Sequence, residues 1–531
     1  MSIWLIDNHT GNDRLHNTRS PALTAPQESG PIEPAEVWEN FFPLTRIARP
    51  SKQEEAVIEH LKSWADRLGY RCFQDAVGNL CVHVPATPGC ETAPVVLQNH
   101  VDIVAVTRDG ASDADASAGC IPIKRGDFSD DGVFTENRDG GWLFAPESTL
   151  GADNGVGCAM AMAIAMSTQL QRPPLELLFT VDEEEGMSGA MNLDAASLGI
   201  TGKFLINIDT EDDDELTIGS AGGRDIQIRY TAERVSQRNK VGLTIEAGDL
   251  IGGHSGVEIA AGRANAIRLV ARCLAGIAAT IPVCLCEIAG GSRRNAIPQT
   301  CRARFLIDGG DLAAATSLFE SLRTALVTQF EAVEPAISLT LVQSSEGEKS
   351  DSFEPATSSQ IIDLLVGTPH GVLGMNPEIP DLVETSCNLA IVETKHDVVE
   401  IIVSCRSATD GGLAEVTATL ASLARLSHAE LQVGHSYPGW KPDLQSELLQ
   451  VARQAYERLF KESPKVKAIH AGLECGVLAT RIADVDCISI GPNIRGNHAP
   501  GERVEIASVR KTYAFVSEVL GALTRGSGPE H

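Results

Sequence analysis

The stretch VVLQNHVDIV, Val95 to Val104, decides how this chain is read. Its apolar residues mark a buried strand, yet Asn99, His100 and Asp102 interrupt it. A core position costs an imidazole or a carboxylate its hydration unless a partner compensates. Something at the strand's end therefore has to use this pair. Alternation puts His100 and Asp102 on one face, with Val101 turned into the core between them. Two other apolar runs end in the same manner, LELLFTVDEE from Leu175 and KFLINIDTE from Lys203. Between the first two runs lies NGVGCAMAMAIAMST (154–168), whose composition predicts a helix packed tightly within the fold. Strands alternating with helices, with polar groups at the strand ends, predict an α/β layer that carries function at one edge.

Working outward, residues 1–35 are rich in Asn, Pro, Ser and Thr without periodicity and read as a loose extension. A helix is expected from about Ser51, with Ser51 and Glu54 as a capping box and Val57, Ile58, Leu61, Trp64 and Leu68 as its apolar face. Residues 107–141 form an acidic insertion rich in Gly and Ser, read as a solvated surface excursion. From about Gly223 the pattern turns to strands with two longer helices, near 256–279 and 311–332. The resulting expectation is a first domain in two parts, 36–222 and 428–531, with a second domain, 223–427, inserted between them.

Bulk properties exclude several classes. With 531 residues, more than one domain is expected. A formal charge of −28 argues against nucleic acid and against an anionic membrane surface as partners. The N-terminal residues lack the basic start and apolar core of a signal peptide. The longest apolar helical run, VGCAMAMAIAM, is shorter than the ~20 residues a bilayer requires. The 13 cysteines are scattered among apolar residues with no CxxC pair, which predicts reduced, buried thiols and a cytoplasmic location. Cys284 and Cys286 share one strand face and read as packing residues.

Five places combine acid or histidine with the end of an apolar run. They are His100 with Asp102, Asp153 in TLGADNGVG, Glu183 and Glu184 in TVDEEEG, Asp209 in LINIDTE, and His498 in GNHAPGE. Singly each has an ordinary structural explanation. The run DTEDDDE, Asp209 to Glu215, lacks the glycine and terminal glutamate of an EF-hand loop. Clustered buried carboxylates, however, must be neutralised. Two dications about 3.5–4 Å apart repel by roughly 17–19 kcal/mol at an effective dielectric of 20. Asp153, Glu184, Asp209 and a bridging hydroxide would offset their four charges, with His100 and His498 as neutral ligands. Mixed nitrogen and oxygen donors suit zinc better than calcium or magnesium.

The stretches LQNHVDIV, TLGADNGVG, DEEEGMSGA, INIDTEDD, GGHSGVEI, RRNAIP, IHAGLECG and IRGNHAPGERVEI, in that order, resemble the aminoacyl-histidine (Xaa-His) dipeptidase family of di-zinc metallopeptidases. The resemblance spans about residues 36 to 525. It implies a zinc-peptidase-type mixed sheet flanked by helices, with an inserted α+β lid and dimerisation domain, and a homodimer. It implies two Zn2+ per subunit, with Co2+ or Mn2+ as alternatives, and a small peptide as substrate. Asp153 would bridge the metals, His100 and Asp209 would complete one site, and Glu184 and His498 the other. Asp102 would orient His100, and Glu183 would be the general base for a zinc-activated hydroxide. His254 would stabilise the oxyanion, either within its own chain or across the dimer interface. Asn295, Arg406 and Glu474 would position the substrate, with Arg406 on its C-terminal carboxylate, while His470 reads as structural. Three features depart from the pattern: Asn99 in place of a glycine, the long insertion and the N-terminal extension. Glu185, a third consecutive acid, leaves room for a shift of base and ligand by one position. Two alternatives are the same metal chemistry on tripeptides or N-acyl amino acids, and a non-catalytic binding or assembly relative.

Overall fold

The computed structural model describes residues 32–108, 121–129, 132–344 and 350–525. The expected loose extension, through residue 31, and residues 109–120 of the insertion lie outside the described residues. The strand predictions hold. An eight-stranded sheet contains β1 (Arg71–Gln74), β2 (Leu80–Val84), β3 (Val95–His100), β4 (Leu175–Thr180), β5 (Phe204–Ile208), β6 (Glu215–Ser220), β7 (Lys465–Ile469) and β8 (Asp486–Ile490), in the spatial order β1-β2-β4-β3-β5-β8-β6-β7. β3 lies between β4 and β5, parallel to both. The chain leaves β3 to one side and then crosses to the other, so a crevice opens at the carboxyl ends of these three strands, where ligands bind in open α/β sheets.

Helix packing explains why this sheet is buried. The helix Ala152–Met166 joins β3 to β4 and is apolar on all sides, with its residues buried from Val156 to Ala165. Such a helix is stable only inside a core, here shared with Val95, Leu97 and Val101 of the β3 segment. The helix Glu55–Leu68 buries Val57, Ile58, Leu61, Trp64 and Ala65 as expected, although Leu68 stays exposed, and it ends on Gly69 in the left-handed region. The capping box, however, does not form. Ser51 Oγ donates to Asp102 Oδ2 instead, and Glu54 Oε1 accepts from Lys52 N and Asp182 N. Both side chains are drawn into the bed of the crevice.

A nine-stranded antiparallel sheet forms a second core with the helices Ala266–Ala278, Leu312–Phe330, Pro355–Gly367 and Asp410–Leu426. Its strands run from Gly222–Thr231 to Glu430–Tyr437, which pair with each other, and the chain re-enters the first sheet at Lys465. Cys284 and Cys286 pack against Leu306, as their alternation implied. The insertion is not wholly a surface excursion. Its strands Lys124–Phe128 and Phe134–Glu136, with Trp142–Phe144 just beyond it, extend a sheet begun by Ile494–Arg495 and Arg503–Glu505. Arg503 lies 4.2 Å over the Phe128 ring. Among the described residues no helix is long and apolar enough to cross a membrane, and the cysteines are free, all but Cys72 being buried.

The acidic run 209–215 is matched by cations from the C-terminal segment. Asp212 pairs with Arg495, Asp213 with Lys511, Asp214 with Lys465 and Glu215 with Lys467. The two exposed pairs, Asp212–Arg495 and Asp214–Lys465, contribute at most about 1 kcal/mol each. The value of the four pairs here is that they give the run partners other than a metal and join β6 to β7.

Candidate active site

The carboxyl ends of β3, β4 and β5 bring together residues that are far apart in sequence. His100 Nε2 lies 3.1 Å from Asp153 Oδ1 and 3.4 Å from Asp209 Oδ1. His498 Nε2 lies 3.2 Å from Asp153 Oδ2 and 3.0 Å from Glu184 Oε2. Asp153 thus turns one oxygen to each histidine. Among the described residues three groups have donor atoms close enough to share a metal ion: His100 with Asp153 and Asp209, His100 with Glu183 and Glu184, and Asp153 with Glu184 and His498. Glu184 Oε1 is buried without a hydrogen-bond partner, a costly state for a carboxylate that a cation would relieve. The donors fit a pair of divalent metal ions, and their mix of imidazole and carboxylate fits zinc.

The electrostatics agree with that geometry. Burial by itself would lower the pKa of His100, but Asp209, Asp102 and Asp153 hold it well above the ordinary histidine value. His498, likewise opposed by burial, is pushed up to about 11 by its bonds to Asp153 and Glu184. Asp153 moves in the other direction despite its burial, because both imidazoles face it. Glu183 is driven well above the usual carboxylate range, chiefly by burial and then, against the pull of His100, by Glu184, Asp209 and Glu474. Protons therefore stand in for cations in this cluster.

Asp102 does more than face His100. It is fully buried; His100 Nδ1 lies 3.4 Å from its Oδ1, and the backbone N–H groups of Glu183 and Glu184 donate to it at 3.0 and 3.1 Å. Burial would raise this carboxyl, yet the bond with His100, the backbone donors and Ser51 bring it down to about 2. The carboxylate thereby fixes the turn that presents Glu183 and Glu184, and together with the Asp102 backbone carbonyl, 3.1 Å from His100 Nδ1, it holds the ring of His100. Glu185 points elsewhere, exposed and paired with Lys52, so the structure aims Glu183 and Glu184, not Glu185, at the cluster.

The remaining predicted residues fall into two places. Glu474 is buried beneath β3, its Oε2 accepting from Gln98 Nε2 at 2.6 Å and Thr180 Oγ1 at 2.7 Å, while Oε1 has no partner. Burial pushes it up to about 7, and His100 and Asp209 lie within its field. His254, Asn295 and Arg406 are instead on the second sheet and its loops, outside the three donor groups. His254 and Asn295 line a cavity of about 660 Å³. His254 is lowered by burial and by Arg406, and His470 is pushed down to about 4 by the same two causes. Gly256 is where this turn meets its neighbours: a Cβ there would lie 2.3 Å from His470 O and 3.2 Å from Arg406 Nε. His470 Nε2 also bonds Ser386 Oγ at 2.7 Å, so it joins the two sheets.

Asn99 does not enter the cleft. Its side chain faces the helix Ala152–Met166, where a Cβ on Gly157 would sit 2.3 Å from Asn99 Oδ1 and 2.1 Å from Asn154 Oδ1. Residues not singled out in the sequence also border the cluster. Glu211, pushed up to about 8 by burial and by Asp153, accepts from Asn497 Nδ2. Buried Arg49 donates to Val101 O and Gly151 O, and Glu502 accepts from four backbone N–H groups, those of residues 150–153.

Residues 129–522 match the model of peptidase family M20/M25/M40. The chain belongs to that family. It is a peptide-bond hydrolase, and the reading as a non-catalytic relative falls away. It is 35% identical over 504 residues to the cytosol non-specific dipeptidase of Escherichia coli strain K12, covering 93% of this chain and 98% of the relative. The aminoacylhistidine dipeptidase of Vibrio alginolyticus superposes with a TM-score of 0.81 at 34% identity, over 93% of this chain and 98% of its own. A tripeptidase from Staphylococcus aureus, at 15% identity and a TM-score of 0.53, over 94% and 100% of the chains, shares the fold alone.

Proposed function

We propose that this member of the family is a di-zinc dipeptidase of broad tolerance that accepts Xaa-His dipeptides. The observation that carries the metal assignment is the split of Asp153, one oxygen toward His100 and the other toward His498. In this reading His100, Asp153 and Asp209 would hold one ion, and Asp153, Glu184 and His498 the other. The ions supply the Lewis acidity that polarises a scissile carbonyl and acidifies water. Asp102 holds His100 in the tautomer whose Nε2 faces the cluster. Glu183, buried and with a raised proton affinity, takes the proton of the attacking water and delivers it to the leaving amine.

Substrate class rests on Arg406. It is 7% exposed, its Nη1 lies 2.9 Å from Tyr437 Oη, its Nε has no partner, and among the described residues no carboxylate forms an ion pair with it. A buried guanidinium without a counter-ion suits the free C-terminal carboxylate of a peptide. Asn295 and Glu474 complete substrate positioning, with Glu474 toward the amino end, and His254 steadies the oxyanion. In its own chain His254 stands beside Arg406 and outside the donor groups, which favours a homodimer in which a partner's histidine completes each centre. The names of the Escherichia coli and Vibrio relatives support dipeptides over tripeptides or N-acyl amino acids, and the former supports a cytoplasmic location.

The test is Glu183→Gln with zinc content, folding and hydrolysis of a panel of dipeptides, tripeptides and N-acyl amino acids measured together. The expected variant keeps its metal and fold and loses turnover by about 10²–10⁴-fold or more. Near-normal turnover would reject the base, and a wild-type protein that prefers N-acyl amino acids would reject the dipeptide reading.

A further inference from the structure

We propose that Glu502 is a positioning residue that sets the distance between the Asp153 turn and the His498 hairpin, and so governs metal capture at the His498 end of the site. The inference rests on reading Asp153 and His498 as ligands. Glu502 is 2% exposed and belongs to none of the three donor groups; its carboxylate meets them only at the backbone N–H of Asp153. Its Oε2 accepts from Leu150 N at 2.7 Å and Gly151 N at 2.9 Å, and its Oε1 from Ala152 N at 2.8 Å and Asp153 N at 3.2 Å. These N–H groups belong to the turn that leads into the helix Ala152–Met166, where Asp153 and Asn154 do not yet have helical backbone angles. Both carboxylate oxygens are fully used. A glutamine amide would keep one acceptor and turn an NH2 toward two N–H donors.

The other end of Glu502 is tied to His498. Strands Ile494–Arg495 and Arg503–Glu505 pair through Ile494↔Val504 and Arg495↔Arg503, with His498 in the loop between them. That side chain is 47% exposed and meets the cluster only through Asp153 and Glu184. Its placement therefore depends on how the hairpin is anchored, and Glu502, four residues on, is the anchor with the most hydrogen bonds to the Asp153 turn. Gly501 N adds bonds to Ala145 O and Ser148 O, and Glu502 O accepts from Ala145 N. Arg49 grips the same turn through a carbonyl, donating to Gly151 O, and donates also to Val101 O beside His100. Arg49 thus references Asp153 to His100, while Glu502 references it to His498.

The experiment compares metal-free wild type, Glu502→Gln and Glu502→Asp by amide hydrogen exchange and by zinc titration against a chelator. In Glu502→Gln, exchange at residues 150–153 rises at least tenfold while the Val95–His100 strand is unchanged. One zinc equivalent weakens by about 10–100-fold and the other by much less, with partial recovery in Glu502→Asp. Two equivalents of wild-type affinity with unchanged exchange would overturn the proposal. Loss of folding in both variants would also overturn it, by assigning Glu502 to the fold alone. His498→Ala separates the two layers: if it retains both equivalents, the ligand reading fails, while exchange at 150–153 still reports the clamp.

Discussion

Arg406 is the residue whose chemistry most constrains what enters the cleft. Removing a buried charge from its intended partner typically costs 2–5 kcal/mol. Arg406→Met should therefore lower kcat/KM for dipeptides with a free carboxylate by about 10²-fold or more. Substrates amidated at the C-terminus should be cleaved equally slowly by both proteins. A matching loss on amidated substrates would show that Arg406 does not read the carboxylate. At this scale the sequence was legible wherever charge broke an apolar run, as at His100, Asp102, Asp153 and Asp209. It misled at Ser51 and Glu54, because the capping motif is a local pattern and their real partners, Asp102 and Asp182, are distant. Glu502 and Arg49 gave no sign, since acceptance of backbone N–H groups and donation to carbonyls depend on where two loops meet, not on residue type.

Among the elements, the helix Ala152–Met166 has the least slack. A methyl group at Gly157 would lie 2.3 Å or less from Asn154 Oδ1, Asn99 Oδ1 and Ile208 O, and the last is backbone that cannot rotate away. Gly157→Ala should destabilise by about 1–3 kcal/mol, as overpacked cores do, and weaken zinc binding through Asp153 and Asp209; urea denaturation with metal titration measures both. A wild-type midpoint would show that the helix can shift. The helix Ala266–Ala278 makes a different prediction. Asn265 Oδ1 caps it, so the Asn265 amide donates to His370 Nδ1 at 3.2 Å, and that nitrogen must stay unprotonated. Burial, then Arg268, lowers His370 from 6.5 to about 4. The unfolded chain takes up this proton near 6.5 and the folded chain only near 4. The contribution is therefore full above 6.5 and lost as pH falls between those values, by about 3 kcal/mol. His370→Asn should lose less stability than wild type between pH 7 and 4.5 in thermal unfolding. Equal slopes would remove His370 as a cause. Elements were easiest to read where partners are near in sequence. The strands of the insertion are an exception: Lys124–Phe128 pairs with the nearby Phe134–Glu136 and Trp142–Phe144, but their mostly exposed residues show no clear apolar alternation.

At the scale of the whole molecule, the cluster concentrates Asp153, Glu183, Glu184 and Asp209 in one crevice, a density of buried carboxylates that bound cations would relieve. Chelation should lower the unfolding temperature, and zinc should restore it in a concentration-dependent way, by about 4 kcal/mol at a thousandfold excess over Kd. A melting curve indifferent to chelator would contradict a resident metal pair. The alternation of strands and helices gave the sheet in advance, but not its weave. β8 lies between β5 and β6, although the whole nine-stranded sheet separates them in the chain. That weave fixes a timetable. While the ribosome is still making the second sheet, β5 waits with an open edge, and His498 does not yet exist. If His498 is a ligand, as proposed, a growing chain carries no complete hydrolytic centre near other nascent peptides. On the proposed ligand set, a chain that stops before residue 498 should therefore hold at most one metal equivalent and hydrolyse no dipeptide, which zinc titration of a truncated chain checks.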